Sequence, residues 1–195
     1  VNVLVIPEDF TRDQYVLKPI IQAIMETIGK PRANVSVCNN PRLRGLSQAL
    51  SWSQLERILD QYRGMVDLFL LCVDRDGDGA RRARLDYLEQ QASQVLASGR
   101  AFLAENAWQE IEVWALAGHD LPPEWKWDEI RAEPHPKERY FAPFVRQRGL
   151  QNTLGQGRKT LALEAARRYD RVRQRCPEDV AALEERIRAW SEDRP

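Results

Sequence analysis

The stretch LFLLCVDRDGDGARR, residues 68–82, runs a block of mostly apolar residues straight into three aspartates spaced two apart, Asp74, Asp76 and Asp78. A short, continuous apolar run bounded by a turn is the pattern of a strand covered on both faces, as in a parallel sheet with helices above and below it. VDLFLLCV (66–73) therefore sets the expectation of an α/β fold. The aspartates then fall at the carboxyl end of a central strand, where loops leaving neighbouring strands converge and ligands bind.

The flanking sequence repeats the strand-then-helix order. VNVLVI (1–6) is a second buried-strand pattern, broken at Pro7. After it, residues 12–29 place Leu17, Ile20, Ile21, Ile24, Met25 and Ile28 at helical spacing, with Pro19 as a kink and Gly29 as the stop. ANVSVC (33–38) reads as a strand and SWSQLERILDQYRG (51–64) as a helix with Ser51 or Ser53 at its N-cap. A polar helix is expected near 80–98, a short strand at AFLAEN (101–106), and a helix over WQEIEVWALAG (108–118). Together these imply a mostly parallel, Rossmann-like sheet flanked by helices. Residues 119–158 hold five of the eleven prolines among aromatics and charges, and are expected to form an ordered insertion with little regular structure. Two helices close the chain over 159–195. Pro177 lies near the start of the second, and Val180, Leu183, Ile187 and Trp190 lie on one stripe.

At 195 residues and 43% hydrophobic, the chain is expected to form a single domain, 1–195, with its α/β core in 1–118. Basic and acidic residues balance at 29 each, so attraction to nucleic acid has to come from a local patch. Three scattered cysteines without CxxC spacing argue against a disulfide framework or a zinc site, and fit a reducing cytoplasm. No run approaches the roughly 18 apolar residues of a membrane-spanning helix, and the opening residues carry no export signal, so a cytoplasmic location without membrane contact is expected.

If the backbone stays extended past Val73, Asp74 and Asp76 point to the same side and repel each other unless a cation sits between them. A hard divalent ion such as Mg²⁺ or Mn²⁺ suits such a pair, because it takes oxygen ligands and pairs carboxylates with substrate phosphate. An EF-hand is excluded: its twelfth position would be Leu85, where a bidentate Glu is required. Asp78 has two readings, a further ligand or the N-cap of the helix that follows. PEDF (7–10) supplies Glu8 and Asp9 at the end of the first strand, facing the aspartates if the two strands are neighbours.

A Glu ending the first strand, then a helix, then D-x-D ending a later strand resembles the Toprim family of topoisomerases, primases and overcoming-lysogenization-defect nucleases. The chain as a whole is most similar to the Toprim-like domain of unknown function 4276, the resemblance extending over AENAWQEIEVWALAG and RRYDRVRQRCPEDVAALEERIRAW. The resemblance implies Glu8, Asp74 and Asp76 as catalytic residues and metal ligands, with Glu110 or Glu112 as a further acidic contact. On a continuous helix those two glutamates diverge, so at most one is expected to face the site. The family's opening is Glu-Gly with an Asp a few residues on. Here Asp9 and Phe10 follow Glu8, and Asp13 is the later acid. The expected activity is Mg²⁺- or Mn²⁺-dependent phosphoryl transfer by a nuclease acting on nucleic acid, with a defence or DNA-maintenance role as a family association. The alternative is a non-catalytic Toprim-like binding or regulatory subunit working with a protein partner.

Other motifs are less specific. GQGRKT (155–160) fails as a phosphate loop for want of the right glycine spacing, yet Arg158 and Lys159 at a helix start are candidate phosphate contacts. RRYDRVRQR (167–175) is either a solvated face or a strip that follows a nucleic-acid backbone. His119 and His135 have neither ligand spacing nor a nucleophile beside them and receive no role. The tryptophans of PPEWKWDEI (122–130) either stack on bases or pin the insertion to the core.

Overall fold

A computed structural model of the chain describes residues 1–193; the last two residues of the expected C-terminal segment lie outside that range. Four strands, β1 (Asn2–Pro7), β2 (Asn34–Val37), β3 (Leu68–Asp74) and β4 (Ala101–Ala107), form one all-parallel sheet in the order β2-β1-β3-β4. The architecture is α/β and compatible with a Rossmann-like fold. Side chains alternate across the sheet as the pleat demands. Val3, Val5, Leu68, Leu70 and Cys72 enter one core layer, and Leu4, Ile6, Phe69, Leu71 and Val73 enter the other.

The first layer is covered by α1 (Phe10–Thr27) and by the C-terminal half of the chain; the second by α2 (Leu46–Ala49), α3 (Trp52–Tyr62) and α4 (Arg81–Val95). α1 begins two residues before the expected position because Asp9 caps it. The Asp9 carboxylate accepts from Thr11 N at 2.8 Å, and Asp13 accepts from Asp9 N at 2.8 Å. Pro19 lies inside this helix, and Gly29 follows it in the left-handed conformation that ends many helices.

Three expectations are corrected. The helix expected over 108–118 is short: α5 spans Glu112–Ala117, since Gln109 takes a positive φ of 80° that no helix accommodates. The 119–158 insertion is more helical than its prolines suggested. It contains α6 (Trp127–Ala132), a π-helical turn (Lys137–Phe141) and α7 (Ala142–Gln147), with Pro136 and Pro143 at helix starts, where a missing N–H costs little. Its aromatics are pinned inward. Trp125 packs edge-on to Tyr140 at 5.2 Å, and Trp127 Nε1 donates to Arg175 O at 2.8 Å. The first closing helix is divided into α8 (Arg158–Arg167) and α9 (Tyr169–Arg175). The break at Arg168 turns Tyr169 inward to donate to Glu184 at 2.8 Å. A π-helical turn (Pro177–Ala181) and α10 (Ala182–Glu192) follow, with Val180, Leu183 and Ile187 fully buried as the stripe required. Among the described residues no helix is long and apolar enough to cross a membrane.

Candidate functional site: an acidic cluster at the sheet's switch point

In the order β2-β1-β3-β4, the chain leaves β1 toward one edge of the sheet and β3 toward the other. The crevice between the carboxyl ends of these two strands is the topological switch point, the usual ligand position in open α/β sheets. Parallel register pairs Pro7 with Cys72, which brings Glu8 level with the end of β3. Glu8 Oε2 lies 3.5 Å from Asp74 N.

The backbone does not stay extended past Asp74. Asp76 adopts φ 52°, and the turn is tied to the β4 loop: Arg75 N and Asp76 N donate to Gln109 O at 2.8 and 3.2 Å, and Gly77 N to Gln109 Oε1 at 2.8 Å. This tie brings Glu110 to the aspartates. One carboxylate oxygen from each of Asp74, Asp76 and Glu110 lies within 4.8 Å of the others. Glu110, expected as a further acidic contact, thus converges with Asp74 and Asp76, while Glu8 flanks the group beside the Asp74 amide. The sequence reading had Glu110 on a helix; it lies in the turn ahead of α5, so Glu110 and Glu112 both border the cluster.

The cluster carries more negative charge than its surroundings neutralise. Glu112 is ion-paired with the buried Arg158, and Glu110 accepts from Lys137 N at 2.7 Å and from Lys137 Nζ at 3.3 Å. Neither Asp74 nor Asp76 has an ion pair among the described residues; Asp74 Oδ1 accepts only Ile111 N, at 2.8 Å. Burial, then the neighbouring Glu112, Asp13 and Glu8, pushes the Asp74 carboxyl well above its usual range. Burial likewise raises Glu8 and Glu110 and lifts Asp13 to about 7. Asp13 and Glu112, which the sequence offered as the later acid and as an alternative acidic contact, both border the cluster, brought there by α1 and α5 rather than by the strand ends.

A divalent ion suits this donor set. Octahedral Mg²⁺ at roughly 2.1 Å holds its ligand oxygens roughly 3–4 Å apart, the scale on which the three carboxylates converge. Asp78 does not join them. It is exposed, its Oδ1 accepts from Ala80 N at 2.8 Å, and it pairs with Arg81 at 3.6 Å; it closes the turn ahead of α4, whose N-cap is Ala80, so it is not the helix cap the sequence offered. Arg158 and Lys159 part company: Arg158 is 4% exposed, while Lys159 lies outward beside Tyr15 and Lys18. They do not form one phosphate cradle.

Most of the basic run is also committed. Arg168 and Arg171 pair with Asp120, Arg173 with Glu184, and Arg175 donates to the Ala117 and His119 carbonyls. His119 is buried against Phe144 and bonded to Leu161 O at 3.0 Å. His135 is exposed beside Glu110 and Glu138, with Lys137 already between those two carboxylates at 3.3 and 3.4 Å. Comparison with protein-family models, with curated proteins and with solved structures finds no match. The class of protein is defined by fold and site alone: a parallel α/β domain with a carboxylate cluster at its switch point.

Proposed function

We propose that the chain is a metal-dependent phosphoryl-transfer enzyme of Toprim-like type, a nuclease, using Mg²⁺ or Mn²⁺ at Asp74, Asp76 and Glu110. The observation that carries this reading is the convergence at the switch point of three carboxylates, two of them without an ion-pair partner among the described residues. A bound divalent ion supplies Lewis-acid stabilisation of charge on the phosphate and polarises a water. Glu8 lies outside the trio, and burial raises its affinity for a proton. It acts as the general base that takes the proton from the attacking water. Lys137 orients Glu110 from the far side.

The test combines Mn²⁺ binding by calorimetry with cleavage of labelled single- and double-stranded DNA and RNA, in metal or in chelator. Asp74→Asn and Glu110→Gln are expected to lose both binding and cutting. Glu8→Gln is expected to keep the metal and lose cleavage by about 10²–10⁴-fold. Metal binding untouched by Asp74→Asn would sink the proposal. Intact binding with no cleavage of any substrate moves the reading to a non-catalytic regulatory subunit.

A further inference from the structure

Next to the acidic cluster lies a cavity of about 300 Å³ with the opposite charge. Its lining includes Arg12 from the first turn of α1, Lys137 from the π-helical turn, Arg146 from α7 and Arg158 from α8. Four different elements thus aim a cation at one concavity. Lys137 and Arg158 form the side shared with the cluster, through Glu110 and Glu112. Arg12 and Arg146 are exposed and have no hydrogen-bond or ion-pair partner for their guanidinium groups among the described residues. Glu138 is the one acidic residue in the lining, and Lys137 already engages it at 3.4 Å. Phe141 and Val145 supply an apolar wall, with the Arg158 guanidinium 5.3 Å over the Phe141 ring.

Two such guanidiniums across one cleft repel each other, and a phosphate oxyanion relieves that repulsion, since a guanidinium fork can meet two phosphate oxygens in bidentate contacts. The apolar wall gives a base or sugar a surface that a bare phosphate does not use. The volume lies at the small end of the roughly 300–1,000 Å³ typical of ligand sites, room for a single nucleotide unit and too little for a double helix.

We infer that this cleft is the substrate subsite of the enzyme, seating one nucleotide of a single strand with its phosphate between Arg12 and Arg146 and its ester bond directed toward the carboxylate trio. The inference rests on the phosphoryl-transfer reading for its orientation, but binding to the cleft needs no metal. It is therefore tested in chelator, where metal chemistry is silent.

Fluorescence anisotropy of a labelled oligothymidylate, with competition by thymidine monophosphate, inorganic phosphate and a blunt duplex, measures the subsite in the full chain. Arg12→Ala and Arg146→Ala are each expected to weaken single-strand binding about ten-fold and to lower its salt slope by about one. Arg57→Ala, an exposed arginine on α3 across the sheet, is expected to change nothing. The nucleotide is expected to outcompete phosphate, and the single strand to outcompete the duplex. An equal loss in Arg57→Ala would show diffuse electrostatics and overturn the subsite, as would a duplex that binds as well as the single strand. Phosphate competing as well as the nucleotide would reduce the cleft to an anion hole and overturn the nucleotide assignment. Loss of cleavage with this binding pattern intact would fault the metal reading and leave the subsite standing.

Discussion

Asp74 is held where its charge is least welcome, half-buried at the end of β3 with Glu8, Asp13 and Glu112 around it and a single backbone amide as partner. A site of this kind trades stability for function, since the repulsion that recruits a cation also strains the cation-free fold. Asp74→Asn keeps an acceptor for Ile111 N and removes the charge. In chelator at pH 8 it is expected to be more stable than wild type by on the order of 1 kcal/mol in urea titrations. Asp179 is the opposite case. It is fully buried, yet its carboxylate accepts from Trp108 N at 2.8 Å and Trp114 Nε1 at 2.7 Å and pairs with Arg131 at 3.1 Å. Asp179→Ala strands two donors and leaves the buried Arg131 guanidinium with Glu178 alone, so a loss of about 3–5 kcal/mol is expected by the same measurement. A half-buried and a fully buried aspartate thus give opposite signs on neutralisation, decided by whether a cation is already in place.

Elements show where the sequence was readable. Strands β1 and β3 and the α/β alternation were legible because a strand covered on both faces leaves an unbroken apolar run, as in VNVLVI and LFLLCV. The placement of Asp74 at the ligand-binding edge followed from that. Glu110 was misplaced on a helix because the turn at Gln109 is held by contacts to residues 75–77, more than thirty positions away, and no local pattern records such a tie. The helical character of the insertion was hidden for a related reason: its prolines sit at helix starts, and its aromatics find partners only in the C-terminal half. Gly118 carries a similar long-range meaning. A Cβ there would lie 2.4 Å from Ala165 Cα, so α5 and α8 approach as closely as they do only because position 118 has no side chain. Gly118→Ala has to push backbone apart and is expected to cost about 1–3 kcal/mol, read as a lower urea midpoint with an unchanged m-value.

At the scale of the whole molecule, β4 is joined to both flanking layers through one buried carboxylate. Glu105 faces Arg82 of α4 at 3.4 Å and Arg186 of α10 at 3.3 Å, and both arginines also reach Glu89. Despite these cations, burial lifts the Glu105 carboxyl from 4.5 to about 7, with Asp179 adding to the rise. Between those two values folded-state Glu105 holds a proton that the unfolded chain has released, so its contribution to the unfolding free energy falls as pH rises from about 4.5 to 7 and is level above. His119 contributes the opposite slope. Burial lowers its pKa from 6.5, with Glu164 opposing and Arg148 and Arg168 reinforcing the effect, so its share of stability is lost as pH falls below that value. Glu105→Gln removes Glu105's share of that slope and leaves those of His119 and of the raised carboxyls at the acidic cluster. Relative to wild type the variant is expected to gain roughly 2 kcal/mol on going from pH 5 to pH 8 in parallel urea titrations. A variant whose pH profile parallels that of wild type would place the sheet's proton uptake on another carboxylate.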